Sequence, residues 1–183
     1  MSDDPSGGFR RVGEHDLHAW RSFRLVEADF VTGDRTPFTR TFLRHPGAAA
    51  IVPIDGEDVI LVRQFRPALG AELLEIPAGT LDRPDESPSA CAARELEEEI
   101  GARATRLDHL ASYAVAPGVS DERLHLYLAT GLTFGARAAD GIEEQAMTVE
   151  RLPLGEAVAA CGDGRIQDAK TIVGILLATL RAH

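Results

Sequence analysis

The spacing of apolar and polar positions predicts a chain that begins with strands and continues with strands and helices in mixed order. Apolar and polar residues alternate over residues 20–44 around a turn at 32–34, whereas residues 1–15 are polar, rich in glycine and expected to be frayed. Further strands are predicted at residues 48–53, 59–66, 73–79, 107–115, 124–129 and 150–154. Helices are predicted between residues 87 and 101, at 155–161 and at 168–181. This order indicates an α+β fold, a mixed sheet flanked by helices.

The segment from Gly79 to Gly101 reads GTLDRPDESPSACAARELEEEIG and carries the strongest signal for function. Ser87 followed by Pro88 is typical of a helix N-terminus, because serine caps the first turn and proline fits the first helical position. Gly101 stands where a left-handed C-terminal cap is expected. The segment therefore predicts a helix that ends at Gly101.

Three glutamates share one face of this predicted helix, because Glu95, Glu98 and Glu99 lie at i, i+3 and i+4. Like charges at this spacing repel, so an opposite charge is expected nearby. Mg²⁺ is the natural candidate, since it binds a few carboxylates together with substrate phosphates. Arg94, four residues before Glu98, can hold that carboxylate in place. The alternative is a solvated acidic surface helix.

The same segment resembles the Nudix box, G-x5-E-x7-R-E-U-x-E-E-x-G-U, in which U is a bulky aliphatic residue. The positions that match in register are Glu86, Arg94, Glu95, Leu96, Glu98, Glu99 and Gly101. Two positions depart, because six residues rather than five separate Gly79 from Glu86, and Ala102 is small for the last position. The resemblance implies an α/β/α sandwich with a mixed central sheet, preceded here by a small N-terminal β-subdomain.

A second resemblance narrows the subfamily. The stretch APGVSDE is similar to a loop of ADP-ribose pyrophosphatases, in which a proline lies about sixteen residues after the last motif glycine; Pro117 follows Gly101 by that distance. An ordinary Pro-Gly turn is the alternative. The stretches LLEIPAG and VRQFR are similar to the same subfamily. The resemblance implies Mg²⁺-dependent cleavage of ADP-ribose to AMP and ribose 5-phosphate, with Mn²⁺ able to substitute.

Other functions stay open beside that reading. The substrate could be another nucleoside diphosphate sugar, such as UDP-glucose or GDP-mannose. A catalytically idle domain that senses such ligands is the alternative from a different class, but an idle domain is expected to lose motif glutamates, and this sequence keeps them.

The expected metal ligands are carboxylate oxygens, which suit Mg²⁺ or Mn²⁺ better than a soft metal. Glu95 and Glu99 are expected to bind directly, with Glu98 next as a ligand or catalytic group beside Arg94. Glu86 either joins through water or orients Arg94. The carbonyl of Ala78 is a ligand by family resemblance.

The general base is expected on a loop after the central strands, as the resemblance implies. Glu144 is favoured and Glu143 is the neighbouring candidate. A loop position would let the loop close over the reaction. A solvated acidic loop is the alternative.

Four further residues are candidates for substrate contacts. Arg66 resembles a family arginine that meets the diphosphate or terminal ribose, and Arg40 resembles another, although the family has Arg-Glu where Thr41 follows here. Arginine suits phosphate because its planar fork binds two oxygens. Trp20 or Phe23 can stack on adenine; packing in the core is the alternative.

Composition indicates a cytoplasmic enzyme of 183 residues, with 44% hydrophobic residues to build a core. The net charge of −10 disfavours nucleic acid as a partner. Two cysteines make no disulfide framework. The N-terminus lacks the apolar core of a signal peptide, and the apolar run at residues 171–180 is too short to span a membrane.

Two regions are expected: residues 1–45 as an N-terminal β-subdomain and residues 46–183 as the Nudix hydrolase domain. A two-stranded hairpin is marginal alone and needs a surface to cover. A second copy of the chain can supply that surface, and related pyrophosphatases are commonly homodimers, so a homodimer is expected. The alternative is a hairpin that folds back on its own domain.

Overall fold

The computed structural model describes residues 7–137 and 146–181. The chain divides into two compact units. The first comprises Met1–Pro46 with Ala114–Arg123, and the second comprises Gly47–Tyr113 with Leu124–His183. None of the helices within the described residues is long and apolar enough to cross a membrane.

The first unit contains a three-stranded antiparallel sheet in the order β1-β2-β3, formed by Arg10–Ala19 (β1), Arg24–Val31 (β2) and Pro37–Arg44 (β3). The expectation of a frayed terminus is wrong from residue 10 onward. Strand β1 is exposed along almost its whole length, so it has no buried face and shows no apolar alternation. Pairing with β2 holds it in place instead.

The second unit is built on a mixed sheet in the order β10-β5-β4-β9-β8, in which β6 pairs with β5 and β7 pairs with β4. Strands β4 and β9 run parallel, and the pairs that β5 makes are antiparallel. The strands are Ala48–Asp55 (β4), Asp58–Arg66 (β5), Ala71–Glu75 (β6), Ala78–Thr80 (β7), Ala102–Ala114 (β8), Arg123–Phe134 (β9) and Thr148–Pro153 (β10). The helices are Pro88–Ile100 (α1), Leu154–Asp163 (α2) and Ala169–Arg181 (α3).

Helices cover both faces of this sheet. Alternate residues of β4 point to opposite sides, as in any strand. Ala50 and Val52 lie in a core with apolar residues of α2 and α3. Ala49 and Ile51 lie in a second core with residues of α1 such as Leu96. The expected α+β architecture, a mixed sheet between helical layers, is confirmed.

The predicted strand at residues 73–79 is divided in two. Strand β6 ends at Glu75 and β7 begins at Ala78. Pro77 lies between them and has no N–H for a ladder bond; its carbonyl accepts from the amide of Ile51 at 2.9 Å. The chain therefore pairs with β5 as far as Glu75 and with β4 from Ala78 onward. This change of partner places Ala78 and Gly79 against helix α1.

Candidate active site

Helix α1 has the ends that the sequence predicts. The side chain of Ser87 accepts a hydrogen bond from the amide of Ala90 at 3.2 Å, and Pro88 occupies the first turn. Gly101 closes the helix in the left-handed region at φ 66°. A side chain at Gly101 would also lie 2.7 Å from the carbonyl oxygen of Gly135, so both conformation and space require glycine there.

Arg94 lies at the centre of the glutamate face. Its Nε and Nη2 atoms donate to the two carboxylate oxygens of Glu86 at 2.8 and 3.0 Å. Its Nη1 atom donates to Glu95 at 2.5 Å and to Glu98 at 2.7 Å. Arg83 also donates to Glu98, at 3.0 Å. Arginine side chains therefore offset much of the repulsion on this helix face.

The Arg94 contacts perturb the groups they join. Hydrogen bonds from Arg94 hold the pKa of Glu86 below its usual value despite partial burial. Hydrogen bonding to Glu86 raises the pKa of Arg94, against the effect of burial. Glu86 meets Arg94 through both carboxylate oxygens; whether it orients Arg94 or joins a metal through water stays a prediction.

Strand β7 packs directly against the carboxylates of α1. Glu95 and Glu99 are buried, at 6% and 4% exposure. The amide of Ala78 donates to Glu99 at 3.3 Å. Gly79 is so close to Glu95 that a side-chain carbon there would lie 1.8 Å from the carboxylate oxygen. The glycine of the motif therefore makes room for the Glu95 carboxylate.

The donor chemistry of this face fits a hard divalent cation. Glu95 and Glu99 offer buried anionic oxygens one helical turn apart, as oxygen-seeking metals require. Within residues 7–137 and 146–181, however, no group of three or more His, Cys, Asp or Glu side chains is arranged to hold a metal. Three of the glutamates are directed to Arg94 instead, so a cation has to compete with Arg94 for Glu95.

Cys91 packs beneath the same face. Its sulfur lies 3.7 Å from the carbonyl oxygens of Gly79 and Thr80. Burial, and next the charge of Glu95, raise the pKa of the thiol to about 12. Cys91 is therefore a protonated packing residue at neutral pH, because the thiolate is the reactive form.

Arg66 is the predicted substrate residue that belongs to the second unit. Its Nε and Nη2 atoms donate to the two oxygens of Glu75 at 2.7 and 2.6 Å. Glu75 is 1% exposed and also contacts the ammonium of Lys170. Lys170 lies 3.0 Å from Asp168. A buried carboxylate is thus shared by two cations.

The charges around Glu75 act on one another and extend towards α1. Burial tends to raise the pKa of Glu75, but hydrogen bonds from Arg66 and the charge of Lys170 hold that pKa below its usual value. The pKa of Arg66 is raised, first by its hydrogen bond to Glu75 and also by the charge of Glu99. Arg66 is therefore within electrostatic range of the α1 carboxylates.

Sequence reasoning did not single out Glu75 or Lys170. A signal was present, because Lys170 is the single lysine of the chain and the remaining members of the 19 Lys and Arg residues are arginines. It also stands in the first turn of α3, where the helix dipole disfavours a cation. A lysine in that place requires a specific anionic partner.

Three of the predicted substrate residues belong to the first unit. The Arg40 guanidinium donates to the carbonyl of Thr39 at 2.8 Å and lies over the Phe38 ring. Trp20 is 53% exposed, so packing in the core is wrong for it. Phe23 contacts the His45 ring, with ring centres 4.8 Å apart. Their roles towards substrate stay predictions.

Pro117 lies in the loop of residues 114–123, which belongs to the first unit. The loop is joined to β3, because the amide of Leu43 donates to the carbonyl of Val119 at 2.9 Å. Arg44 contacts Asp121 at 2.6 Å.

The two candidates for the general base, Glu143 and Glu144, lie outside the described residues.

The features described above point to one protein family. The NUDIX domain profile matches residues 43–172, more than half of the chain, so the chain belongs to the Nudix family. This confirms the family predicted from the motif. Nudix hydrolases in general use a divalent metal, in agreement with the donor chemistry of α1.

The relatives of this chain have names that refer to different activities. The chain is 39% identical to the methanol dehydrogenase activator of Bacillus methanolicus, over 91% of this chain and 90% of that protein. It is 37% identical to the ADP-ribose pyrophosphatase of Mycobacterium tuberculosis, over 92% of this chain and 82% of that protein. It is 39% identical to the GDP-mannose pyrophosphatase of Pectobacterium atrosepticum, over 67% of this chain and 66% of that protein.

A solved structure has the same fold. The crystal structure of an ADP compounds hydrolase matches with a TM-score of 0.79 at 23% identity, over 94% of this chain and 93% of the other. At this level of identity the likeness concerns the fold. It confirms the predicted Nudix fold.

Proposed function

We propose that this chain is a Nudix hydrolase that cleaves the pyrophosphate bond of ADP-ribose with water, giving AMP and ribose 5-phosphate. The observation that carries the proposal is the glutamate face of α1, whose buried carboxylates lie against Gly79 and around Arg94. The ADP-ribose pyrophosphatase relative, aligned over most of both chains, supports the choice of substrate.

Glu95 and Glu99 would hold the cation, for which we propose Mg²⁺. Glu98 and the carbonyl of Ala78 are further candidate ligands. A bound divalent cation neutralises charge on the phosphate oxygens and lowers the pKa of an attacking water. Arg94 holds Glu95 and Glu98, and the amide of Ala78 holds Glu99, by the contacts described above.

Two residues of the chain contact the attacking water or the substrate phosphate in this proposal. Glu144, or Glu143 beside it, takes the proton of the attacking water. Arg66 donates to a phosphate oxygen through the guanidinium edge that Glu75 does not use. In the first unit, Arg40, Trp20, Phe23 and the Pro117 loop are proposed to contact the nucleotide or ribose.

A second candidate substrate is another nucleoside diphosphate sugar. The GDP-mannose pyrophosphatase relative favours this alternative, although it aligns with a smaller part of the chain. The pyrophosphate and the metal site are common to both reactions. The two candidates therefore differ in the base and the sugar that the chain selects.

A substrate panel decides between them. The chain would be incubated with ADP-ribose, UDP-glucose or GDP-mannose and Mg²⁺, and phosphate released by an added phosphatase would be measured. We expect the highest kcat/KM for ADP-ribose, with AMP and ribose 5-phosphate as products. A higher kcat/KM for GDP-mannose would replace the proposed substrate, and no turnover of any compound would refute the function.

The Glu97→Gln variant is a matched control for Glu95→Gln and Glu99→Gln, which alter the proposed metal ligands. Glu97 is on the same helix as Glu95 and is directed to Arg103, which donates to it at 2.6 Å. The Glu97→Gln substitution makes the same chemical change at a position outside the glutamate face. We expect it to retain wild-type turnover.

We also propose that the enzyme is a homodimer assembled through the first unit. Strand β1 is an edge strand, and an exposed edge is a template for pairing with another chain. It carries exposed apolar side chains at Val12 and Leu17, and Phe9 and Trp20 flank it. A two-fold dimer would cover them.

Light scattering at micromolar concentration tests the dimer, together with the activity of a variant that lacks residues 1–45. We expect a dimer for the full chain, and loss of both dimer and activity on truncation. A monomer that keeps full ADP-ribose turnover without these residues would refute both the dimer and the role of the first unit.

A cytoplasmic location is part of the proposal, and the two free cysteines agree with it.

A further inference from the structure

Lys170 occupies a position that is costly for a cation. Its side chain is 15% exposed, and it stands in the first turn of α3, where backbone N–H groups already carry partial positive charge. Asp168 offsets part of that cost, because it accepts from the amide of Thr171 at 2.9 Å and lies 3.0 Å from the Lys170 ammonium. Lys170 also contacts Glu75, which comes from a different element of the fold.

Glu75 has more positive charge around it than its own burial requires. One cation with two hydrogen bonds is enough to compensate a buried carboxylate, and Arg66 supplies both bonds. Lys170 adds a second positive charge to the same carboxylate. Asp168 lies beside Lys170, so Arg66, Lys170, Glu75 and Asp168 together are neutral, and an anion bound here would be held by the free edge of Arg66.

The geometry of Arg66 shows where that anion would bind. A guanidinium has five N–H groups in a flat fork. Among the described residues, the side-chain bonds of Arg66 go to Glu75 through Nε and Nη2, which leaves the Nη1–Nη2 edge for a ligand. The side chain is 39% exposed, so this edge is accessible. Two N–H groups on one edge match two oxygens of a phosphate.

We propose that Lys170 is a positioning residue for the substrate phosphate: it holds the buried carboxylate of Glu75, and Glu75 fixes Arg66 with its Nη1–Nη2 edge towards the phosphate. When Arg66 binds the phosphate, its charge is shared between two anions, and Lys170 keeps Glu75 compensated. The inference rests on the proposed function for the contact between Arg66 and substrate. The contacts among Lys170, Glu75 and Arg66 do not depend on the proposed function.

The Lys170→Met variant tests the proposal, because it removes the charge and keeps an apolar stem of similar length. We expect KM for ADP-ribose to rise about tenfold, with kcat within about twofold of wild type, since one charge-assisted contact is weakened and the reacting groups are untouched. An unchanged KM would overturn the proposal.

The Ile175→Val variant controls for loosening of α3. Ile175 is a fully buried core residue of the same helix, and its loss of one methyl group lowers Tm without removing charge. We expect a lower Tm and an unchanged KM. A KM that rises in both variants in proportion to the loss of Tm would show that Lys170 is merely structural.

A double-mutant cycle tests whether Lys170 acts through Arg66. In an Arg66→Met background, the Lys170→Met substitution should raise KM by less than about twofold, because the group it positions is already gone. A further tenfold rise would mean that Lys170 acts on substrate by another route, and it would overturn the proposed chain of contacts.

A measurement without catalysis separates this inference from the proposed function. Because Lys170 is the single lysine, ¹⁵N-lysine labelling gives one side-chain ammonium signal by NMR. Inorganic pyrophosphate added without metal should shift this signal in the wild type and leave it unmoved in Arg66→Met. A wild-type chain that shows the shift but cleaves no nucleotide sugar would refute the function and retain the positioning role; no shift would refute the role.

Discussion

Replacement of Gly79 by alanine should displace the carboxylate of Glu95 and little else. Gly79 lies outside the left-handed region of backbone conformation, so alanine brings no backbone strain there. The new carbon would lie 1.8 Å from Oε1, 2.1 Å from Cδ and 2.7 Å from Cγ of Glu95. All three closest atoms belong to one side chain, which makes the substitution a selective test of that carboxylate.

The size of the displacement follows from these distances. Ordinary contacts of a side-chain carbon begin near 3.4 Å, so the carboxylate has to retreat by roughly 1.5 Å. Glu95 is buried beside Arg94 and has little free space for a small adjustment. A misplacement of about 1 Å at a reacting site can cost about 10²-fold in rate. We expect kcat to fall by at least that factor and the Mg²⁺ concentration for half-maximal rate to rise.

Steady-state turnover of ADP-ribose over a Mg²⁺ titration measures both effects. Gly162→Ala is the matched control, because Gly162 lies in α2 and, apart from its chain neighbours and its own helix backbone, no atom lies within 4 Å of the added carbon. It should retain full activity and gain about 0.5–1 kcal/mol of stability, since alanine is the better helix former. A Gly79→Ala variant with wild-type turnover and Mg²⁺ dependence would refute Glu95 as a metal ligand.

Three further predictions concern single carboxylates. Glu95→Gln or Glu99→Gln should lower turnover by orders of magnitude with the fold retained, and near-normal turnover in both at limiting Mg²⁺ would contradict the metal assignment. Glu144→Gln should lower kcat about 10²–10⁴-fold while KM is kept; the same loss in Glu143→Gln alone would move the base by one residue. The lowered pKa of Glu86 means that its stabilising effect is present above its unfolded pKa and is lost as pH falls through its folded pKa. Glu86→Gln should therefore lose less Tm than wild type between pH 7 and pH 3, and an equal loss would refute the ion pair.

Local features of the structure could be predicted from the sequence. The caps of α1 and the shared face of its glutamates follow from spacing within one segment, and the structure has them where spacing places them. Apolar periodicity likewise predicted α3 and the central strands. Strand β1 was missed because it buries no face, and its pairing with β2 has no local signature in a polar sequence.

Contacts between distant residues were not predictable in this way. Lys170 and Glu75 are separated by 95 positions, and no periodicity links them. The need for positive charge near the glutamates was predicted from repulsion, but the cation that meets three of them is Arg94 itself. The i,i+4 spacing predicts the contact of Arg94 with Glu98, and Glu86 was expected to orient Arg94 or to join the metal through water, but no spacing in the sequence indicates the contact with Glu95.

This pairing leads to a prediction about metal removal. Glu86, Glu95, Glu98 and Glu99 bring four negative charges to the site, and Arg94 and Arg83 bring two positive charges into contact with three of these carboxylates. The amide of Ala78 donates to the fourth, Glu99. The chain thus offsets part of the repulsion, and α1 should be stable without metal. In excess chelator we expect the far-UV circular dichroism of the folded chain and one cooperative thermal transition.

Added Mg²⁺ should then raise Tm by mass action alone. Binding at a hundred times Kd stabilises a folded chain by about 2.7 kcal/mol, and the effect grows with the logarithm of concentration. Glu95→Gln should abolish this rise, whereas Glu97→Gln, whose carboxylate is directed to Arg103, should keep it. Loss of helical signal in chelator would contradict this account, because the arginines would then be insufficient to hold the glutamate face and the metal would be part of the fold.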